Sequence, residues 1–285
     1  MRDFSTPWVM GIVNVTPDSF YAGSRTSDID AIRQRIEQIR CEGAVAVDVG
    51  GYSTRPGAEE VTAEEEYRRV ALALECLRND WPEAVVSVDT FRAEVAARCV
   101  ADYQIDIIND ISGGDLDDKM FETVADTGAA YVLMHTRGTP RTMQQLTDYK
   151  DVTAEVISDL AFKMARLHSL GVKDILLDPG FGFAKTLDQN YELMAHLADF
   201  KKTGAPLFVG ISRKSMITKL LGITPDEALE GTVVLNTYAL ANGADILRVH
   251  DVKAAVQAVT IMQKIGQYKS QSCHTDISCY QNNQE

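Results

Sequence analysis

Cysteine is scarce in this sequence, and its arrangement argues against disulfide bonds. The five cysteines among 285 residues are odd in number and widely spaced, and none forms a Cys-x-x-Cys pair. Free thiols of this kind are typical of a reducing compartment, so we expect a cytoplasmic protein. Cys273, His274 and Cys279 stand close together in the C-terminal tail, but their spacing is wrong for a zinc site.

Long hydrophobic runs are also missing. Nowhere do about 18 apolar residues follow one another, so the sequence predicts no membrane-spanning helix. The N-terminal stretch MRDFSTPWVMGIVNVTPD carries charges and a proline among its apolar residues. It therefore lacks the hydrophobic core of a signal peptide, and none is expected.

Positive charge is in the minority. Lysine and arginine number 28 against 41 aspartates and glutamates, which gives a net charge of −13 and an isoelectric point near 4.9. Nucleic acids and anionic membrane surfaces should repel such a protein, so we expect neither as a partner. An anionic substrate would need a local cluster of positive side chains acting against the overall field.

Eight short apolar runs rich in β-branched residues recur along the chain and predict strands. Near-continuous hydrophobic strands are typical of a parallel sheet that is covered on both faces. The predicted strands are residues 8–15, 44–49, 84–89, 105–109, 129–135, 174–178, 206–211 and 244–249.

Amphipathic helical patterns lie between these runs. Residues 32–39, for example, carry isoleucine at positions i, i+4 and i+7 of a helical stripe. Three Thr-x-x-Glu/Gln sequences, which start at Thr62, Thr186 and Thr224, have the form of a capping box and predict helix starts.

The alternation of strand and helix predicts the fold class. Eight β-then-α units without a linker or a break in composition indicate an α/β protein with a single (β/α)8 TIM barrel. We place the barrel at residues 1–267 and expect residues 268–285, a polar tail, to be disordered. A doubly wound open sheet is the structural alternative.

Polar side chains collect where the predicted strands end, and in a barrel this is the end that carries the chemistry. Any one of them could be a turn residue, but all strands except the fifth end in a strong polar or charged group, which predicts an active site. These residues are Asn14, Thr16, Asp18, Ser53, Thr54, Arg55, Asp89, Asn109, Asp110, Asp178, Ser212, Arg213, Lys214, Arg248, His250 and Asp251.

The types of these residues point to two kinds of ligand group. Asp89, Asn109 and Asp178 are acceptors suited to a planar heterocycle with several N–H donors. An anion with several charges suits a second set, because arginine meets oxyanions with two parallel hydrogen bonds. That second set is Arg55, Arg248, His250 and Asn14.

Further motifs narrow the chemistry. Ser212 is expected to cap a helix that opens at residues 213–215, and the free N–H groups of that helix would form a second anion site. The absence of a Walker motif and of Gly-x-Gly-x-x-Gly argues against a bound nucleotide. There is no evident Ser–His–Asp or Cys–His arrangement, and we expect His135 to be structural.

In chain order, the strand-end segments resemble those of the bacterial dihydropteroate synthase family of pterin-binding TIM barrels. The resemblance covers about residues 8–255. Its motifs are MGIVNVTPDSF (10–20), GGYSTRPGA (50–58), SVDTFRAEV (87–95), INDISGG (108–114), LMHTRGTPRTMQ (133–144), DPGFGFAKT (178–186), GISRKSM (210–216) and LRVHDV (247–252).

The resemblance implies a reaction of folate biosynthesis. Members of the family condense 6-hydroxymethyl-7,8-dihydropterin pyrophosphate with 4-aminobenzoate to give 7,8-dihydropteroate and pyrophosphate, by a substitution with SN1 character. They use Mg²⁺, are usually homodimers and are targets of sulfonamides. We expect the same of this protein, with the late helices at the dimer interface.

The resemblance also implies a role for individual residues. Asp89, Asn109, Asp178, Lys214, Phe183 and Met134 would bind the pterin. Asn14, Arg55, Arg248 and His250 would bind pyrophosphate, with Asn14 also a ligand of Mg²⁺. Thr54, Pro56, Phe183, Arg213 and Ser215 would bind 4-aminobenzoate. The groups expected to take part in catalysis are Lys214, Arg248, His250 and Asp18.

Two departures from the family pattern are visible. The family commonly has Ser-Asp-Gly-Gly where this chain has residues 21–24, Tyr-Ala-Gly-Ser, so a carboxylate is missing at Ala22. Ala184 also replaces the usual glycine after the second phenylalanine of GFGF. The first two loops, near residues 18–25 and 53–59, are expected to close over the substrates.

Two other functions share part of this pattern. A non-catalytic pterin-binding paralogue would keep the acceptors for the ring, and the altered first loop is its support. A methyltetrahydrofolate-dependent methyltransferase would also keep them, but it needs no pyrophosphate site and would leave Arg248 and His250 without a role.

Overall fold

A ring of parallel strands surrounded by helices forms the described part of the chain. The computed structural model describes residues 4–16, 25–53 and 60–269. The strands are β1 (Trp8–Asn14), β2 (Ala46–Gly50), β3 (Val85–Asp89), β4 (Ile107–Asp110), β5 (Ala130–Met134), β6 (Ile175–Asp178), β7 (Phe208–Val209) and β8 (Ile246–Val249).

Helices follow the strands along the chain. The α-helices are α1 (Arg25–Cys41), α2 (Ala63–Asp80), α3 (Ala93–Tyr103), α4 (Met120–Thr127), α5 (Val152–Ser169), α6 (Leu187–Ala195), α7 (Ser215–Leu221), α8 (Leu229–Ala241) and α9 (Val252–Lys269). Short 3-10 helices lie at Met143–Gln145, Leu197–Thr203 and Pro225–Glu227.

The strands are all parallel and close into a barrel. They pair in the order β6-β5-β4-β3-β2-β1-β8-β7. A bridge between Leu177 and Leu207 joins the two outer strands, and the Leu177 N–H donates to the Pro206 carbonyl at 2.9 Å. The predicted (β/α)8 barrel is confirmed, and this closure excludes the open doubly wound sheet.

Two layers of apolar side chains hold the barrel together. The larger lies between the strands and the helices and includes Ile36, Leu74 and Leu160. The smaller fills the barrel interior near the amino ends of the strands, with Met10, Ala46, Ile107, Val132, Leu176, Phe208 and Ile246. Because this lower half is packed, only the carboxyl end of the barrel is left open to a ligand.

Helix boundaries follow the predicted capping signals at two of three places. Thr62 accepts the Glu65 N–H at 3.2 Å at the start of α2, and Thr186 opens α6 with a reciprocal capping box. Thr224 opens only the 3-10 helix Pro225–Glu227, and α8 begins at Leu229. The third signal does form a capping box with Pro225 at the start of the helix, but the element that it opens is a short 3-10 helix ahead of the long one.

Two further predictions concern membrane-spanning helices and the C-terminal tail. No helix in the described residues is both long and apolar enough to cross a bilayer. Helix α9 continues to Lys269, so the first two residues of the predicted tail are helical. The remainder of that tail, residues 270–285, lies outside the described residues, as do Cys273, His274 and Cys279.

Candidate active site

A cavity of about 720 Å³ opens at the carboxyl end of the barrel. Most of the predicted site residues in the described part of the chain line it, namely Asn14, Asp89, Asn109, Met134, Asp178, Phe183, Arg213, Lys214, Arg248 and His250. Asp18, Thr54, Arg55 and Pro56 lie outside the described residues. The altered first loop at residues 21–24 lies outside them as well.

The alternation of strands explains why these side chains meet. Residues two apart on a strand face the same side, so the strand that places Ile246 in the barrel interior also turns Arg248 and then His250 inward. In the same way β6 carries Leu176 and then Asp178. These two strands therefore each contribute an apolar floor residue and, one layer higher, a polar group for the cavity.

A buried ion cluster occupies the middle of the cavity floor. Arg248 donates from Nε to Asp48 Oδ2 at 2.6 Å and from Nη2 to Asp89 Oδ2 at 2.9 Å. Asp48 Oδ2 also accepts from Asn109 Nδ2 at 3.1 Å. Asp48, which is fully buried, thus orients two predicted site residues that lie on different strands.

Asp48 was missed in the sequence, although a signal was present. It is the only charged residue inside the apolar run of β2, and it lies two positions after the inward-facing Ala46. A charge in the interior of a buried strand is costly unless it is paired. Its second oxygen, Oδ1, is buried without a hydrogen-bond partner in the described part of the protein.

The carboxylates and the lysine of the floor have shifted pKa values. Burial raises the pKa of Asp89 to about 7, with Arg248 acting against this shift and Asp48 adding to it. Burial also raises the pKa of Asp178, although the Lys214 ammonium opposes the shift. Burial lowers the pKa of Lys214 to about 8, and Asp178 opposes that change. Shifted groups gathered in a cleft are characteristic of a binding or catalytic site.

The segment between β6 and α6, residues 178–186, folds around these groups. Asp178 accepts the Gly180 N–H at 2.7 Å, and the Lys214 ammonium donates to the Phe181 carbonyl at 2.6 Å. Lys214 also lies 5.0 Å from the centre of the Phe183 ring. Gly180 cannot be replaced, because a Cβ there would come within 1.9 Å of the His135 carbonyl oxygen. We call this segment the β6–α6 loop.

Lys185 holds the β6–α6 loop from beneath the cavity. Its buried ammonium donates to the carbonyls of Gly180 and Phe183, each at 3.0 Å, and lies 3.2 Å from His135 Nδ1. Burial lowers the pKa of Lys185 to about 7 and that of His135 to about 2. His135 is buried below the cavity, which agrees with the prediction that it is structural. The role of Lys185 was not foreseen.

Ala184, one of the two departures from the family, adopts a left-handed conformation with φ of 49°. Glycine enters this region freely, whereas an L-residue with a Cβ pays roughly 1–2 kcal/mol. The side chain is fully buried. The loop therefore keeps the backbone shape that glycine would favour and accepts the cost of the methyl group.

The prediction that Ser212 caps a helix was wrong. Helix α7 begins at Ser215, and its N-cap is Lys214 rather than Ser212. Ser212 lies in the turn after β7, two positions after Gly210, and both line the cavity. Its Oγ accepts the His250 N–H at 3.1 Å and lies 3.1 Å from His250 Nδ1. Its partner is thus the neighbouring strand and not the helix.

Arg213 is held in place by carboxylates. It donates to Asp251 Oδ2 from Nε at 3.0 Å and to Oδ1 from Nη2 at 2.6 Å, and its Nη1 lies 3.3 Å from Asp226 Oδ1. Arg213 also has a positive φ of 58°. Ser215 follows as the exposed first residue of α7. Arg213 lines the cavity, whereas Ser215 is not among its lining residues.

Two oxygen atoms of the kind that binds hard cations lie near Gly50. A Cβ added at Gly50 would lie 3.5 Å from Asn14 Oδ1 and 3.8 Å from Asp89 Oδ2. No group of three or more His, Cys, Asp or Glu side chains in the described ranges could hold a metal on its own. Mg²⁺ commonly binds one or two protein oxygens and takes its other ligands from water and substrate phosphates. Asn14 fits that kind of site.

Comparisons with known proteins agree with this geometry. Residues 10–250 match the family model described as pterin binding enzyme. The dihydropteroate synthase of Escherichia coli (strain K12) is 46% identical over 264 residues, which are 92% of each chain. That of Synechocystis sp. is 42% identical over 88% of this chain and 87% of the relative.

Solved structures are similar over nearly the whole chain. The Yersinia pestis dihydropteroate synthase in a sulfonamide drug complex has a TM-score of 0.87 and 39% identity, covering 93% of this chain and 96% of the other. The Xanthomonas albilineans enzyme with 4-aminobenzoic acid has a TM-score of 0.85 and 38% identity, covering 92% and 94%. The chain belongs to the dihydropteroate synthase family of pterin-binding enzymes.

Proposed function

We propose that this protein is a transferase of folate biosynthesis that joins 6-hydroxymethyl-7,8-dihydropterin pyrophosphate to 4-aminobenzoate. The observation that carries the proposal is the meeting of ring acceptors and cations on one cavity floor. Asp89 and Asp178 lie there with Lys214 and Arg248, so one site offers groups for both the heterocycle and its pyrophosphate.

The pterin ring would lie on the cavity floor. A pterin presents N–H donors along one edge and a carbonyl oxygen beside them. Asp178 would accept from the 2-amino group and N3–H, and the Lys214 ammonium would donate to the ring oxygen. Asp89 and Asn109 complete the polar contacts, and Met134 and Phe183 supply apolar surface. Buried donors and acceptors of this kind reject ligands that cannot pair with them.

The pyrophosphate would lie at the open end, over β1 and β8. Arg248 and His250 line the cavity there together with Asn14, and the family places Arg55 in the same group. Arg55 and Arg248 would provide the positive charge that an anion needs against a net charge of −13, and the uncharged Asn14 and His250 would contribute hydrogen bonds. The guanidinium of Arg248 would stabilise charge as it develops on the leaving group.

Mg²⁺ would be held by the Asn14 amide oxygen and by oxygens of the pyrophosphate. When bound, the ion would neutralise part of the charge on the leaving pyrophosphate. This proposal is supported by the position of Asn14, whose Oδ1 lies near Asp89 on the side of the cavity that Arg248 and His250 also line.

The 4-aminobenzoate would enter between the β6–α6 loop and α7. Phe183 offers an aromatic face, and Arg213 and Ser215 lie near the start of α7, while Thr54 and Pro56 would come from the second loop. The Xanthomonas albilineans relative was solved with 4-aminobenzoic acid, and the Yersinia pestis relative with a sulfonamide. We therefore expect sulfonamides, which are also arylamines, to compete for this pocket.

The reaction suits a site without an enzyme nucleophile. The C–O bond to pyrophosphate breaks first, with the charge of the leaving group received by Arg248 and by the donors beside it. The electron-rich ring, held by Asp89, Asn109 and Asp178, supports the cation at its methylene carbon. The amine of 4-aminobenzoate is neutral at pH 7, so the protein has to position it rather than deprotonate it. Lys214 and Arg248 act in this scheme through charge, not through covalent chemistry.

We also propose that the protein is a cytoplasmic homodimer formed through α8 and α9. Val234 and Tyr238 are one helical turn apart on α8 and exposed, as are Ile261 and Ile265 on α9. The two helices pack against each other. Apolar side chains gathered on neighbouring helices are typical of a protein interface. A second copy of this chain is the partner that the family resemblance implies.

The function is tested by incubating the purified protein with both substrates and Mg²⁺. Dihydropteroate and pyrophosphate, followed by chromatography, should form only when both substrates are present and should disappear with EDTA. Arg248→Ala should abolish turnover. Bound pterin without any product from the unmodified protein would contradict the proposal and favour the non-catalytic paralogue.

A further inference from the structure

Ser212 and His250 form a contact that the proposed reaction has not used. They lie on the adjacent strand ends of β7 and β8, and both line the cavity. The Ser212 Oγ is 3.1 Å from the His250 backbone nitrogen and 3.1 Å from its side-chain Nδ1. The Ser212 hydroxyl therefore contacts two nitrogen atoms of His250.

The directions of these two hydrogen bonds follow from the chemistry of the groups. A backbone N–H can only donate, so the Ser212 oxygen accepts that bond. The hydroxyl hydrogen then needs an acceptor, because Ser212 is buried with only 6% of its surface exposed. The side-chain acceptor that lies within hydrogen-bond distance of it is His250 Nδ1, at 3.1 Å. Satisfying both groups requires an unprotonated Nδ1.

The nitrogen that carries the proton of the His250 imidazole determines which hydrogen bonds the ring can make. Burial, together with the nearby cations Arg248 and Arg213, lowers the pKa of His250 to about 4. The ring is therefore neutral at pH 7 and carries a single N–H. If Nδ1 is the acceptor of the serine hydroxyl, that N–H must be at Nε2.

We propose that Ser212 is a positioning residue that selects the Nε2–H tautomer of His250, so that a neutral imidazole donates a hydrogen bond to the pyrophosphate of the substrate. No hydrogen bond engages Nε2 in the described part of the structure, whereas Nδ1 has its partner. An Nε2 without a proton would present a lone pair to an anion and repel it. The inference deepens the proposed function and rests on it for the identity of the ligand.

The tautomer can be measured without any substrate. The chain has five histidines, and ¹⁵N labelling of histidine alone allows each ring to be followed by NMR. His250→Gln identifies the signals of His250 by their loss. At pH 7 we expect a protonated Nε2 and an unprotonated Nδ1. A protonated Nδ1 in the unmodified protein would overturn the inference.

Variants of Ser212 then test the consequence for the reaction. Ser212→Ala should populate both tautomers of His250 and lower kcat/KM for dihydropterin pyrophosphate by roughly 3- to 10-fold, the value of one lost neutral hydrogen bond. KM for 4-aminobenzoate should not change. Ser212→Thr keeps a hydroxyl and should restore both the NMR signals and the rate. Ser169→Ala, on the exposed end of α5, is the matched control and should leave kcat/KM unchanged.

Two results distinguish failure of the inference from failure of the function. A loss of kcat/KM in Ser212→Ala with the His250 tautomer unchanged would mean that Ser212 contacts the ligand itself, and the inference would be wrong. Calorimetry with inorganic pyrophosphate and Mg²⁺ does not require turnover. Weaker binding by Ser212→Ala together with a changed His250 tautomer, in a protein that makes no product, would support the inference and contradict only the proposed synthase activity.

Discussion

Asp48 shows how one buried side chain organises several ligand-binding residues. Its Oδ2 atom accepts from Arg248 on β8 and from Asn109 on β4, so β2 connects opposite sides of the barrel. Because one N–H of the Asn109 amide is donated to Asp48, its second N–H and its carbonyl oxygen are left for the cavity. Asp48 thus determines which hydrogen bonds Asn109 and Arg248 offer to a ligand.

Asp48→Asn should weaken pterin binding more than it lowers stability. The substitution keeps the shape but removes the negative charge that balances Arg248, and hydrogen bonds to charged groups contribute about 1.5–3 kcal/mol. We expect a roughly 10- to 100-fold weaker affinity for a pterin in calorimetry. Glu66→Gln is the control, because Glu66 is also fully buried but pairs with Arg92. An unchanged pterin affinity in Asp48→Asn would contradict the role of Asp48.

The pH dependence of pterin binding should have a narrow maximum. The Asp89 carboxylate must be ionised to accept N–H bonds, so binding should weaken as the pH falls through its pKa of about 7. The Lys214 ammonium must be protonated to donate, so binding should weaken as the pH rises through its pKa of about 8. Calorimetry across this range, repeated on Asp89→Asn, tests both limbs. The loss of binding that Asp89 causes near its pKa should be missing in the variant, while protonation of Asp178 still weakens binding at more acidic pH. A flat profile in the unmodified protein would contradict both assignments.

The β6–α6 loop is the element that brings the two substrates together. It carries Asp178 for the pterin and Phe183 for both rings, and it has almost no regular backbone hydrogen bonding of its own. Lys214 and Lys185 replace that bonding by donating to its carbonyls. Because the donors are side chains from within and beyond the loop, its shape depends on buried ammonium groups.

Lys185→Met should loosen this loop while keeping the length of the side chain. It leaves the Phe183 carbonyl without its lysine donor and the Gly180 carbonyl with only the Phe183 N–H, and a buried unsatisfied group costs about 1–3 kcal/mol. We expect a lower unfolding free energy, faster amide hydrogen exchange in the loop and a higher KM for 4-aminobenzoate. Lys202→Met, an exposed lysine that pairs only with Asp199, should change none of these. Normal exchange rates in Lys185→Met would show that the loop does not need the ammonium.

The site exists only in the complete barrel, because no single strand or helix carries all of its residues. Every strand except β5 contributes at least one polar side chain at or just after its carboxyl end, and closure of the ring brings these side chains into one cavity. Outside the ring, α8 and α9 expose apolar residues that a monomer would leave in water. The same helices that cover the strands are therefore available for assembly.

Val234→Glu should convert the proposed dimer into a monomer. Val234 is 65% exposed on α8, and a charge there would lose its hydration if a second copy covered it. Sedimentation analysis should show half the mass and an unchanged fold. Phe162→Glu places the same charge on α5 at a residue that is 74% exposed, and it should stay dimeric. A monomeric unmodified protein would contradict the proposed interface.

Much of the site could be predicted from the sequence, because the functional residues of a (β/α)8 barrel lie at the carboxyl ends of its strands. The apolar runs marked the strands, and the first polar residues after them included Asp178, Lys214 and His250. Asp48 and Lys185 were missed because the first lies inside an apolar run and the second inside a glycine-rich loop. Ser212 was assigned to a helix cap because the sequence does not reveal that its hydroxyl faces the neighbouring strand.

The sequence by itself determined the barrel, its family and the types of side chain at the cavity, because local hydrophobic patterns and strand-end motifs depend on neighbours in the chain. Only the tertiary structure decided which groups pair. Asp48 and Arg248 are 200 positions apart, and Ser212 and His250 are 38 apart. Hydrogen-bond partners, burial and the pKa shifts that follow from them arise from contacts between distant strands, and these contacts exist only once the ring has closed.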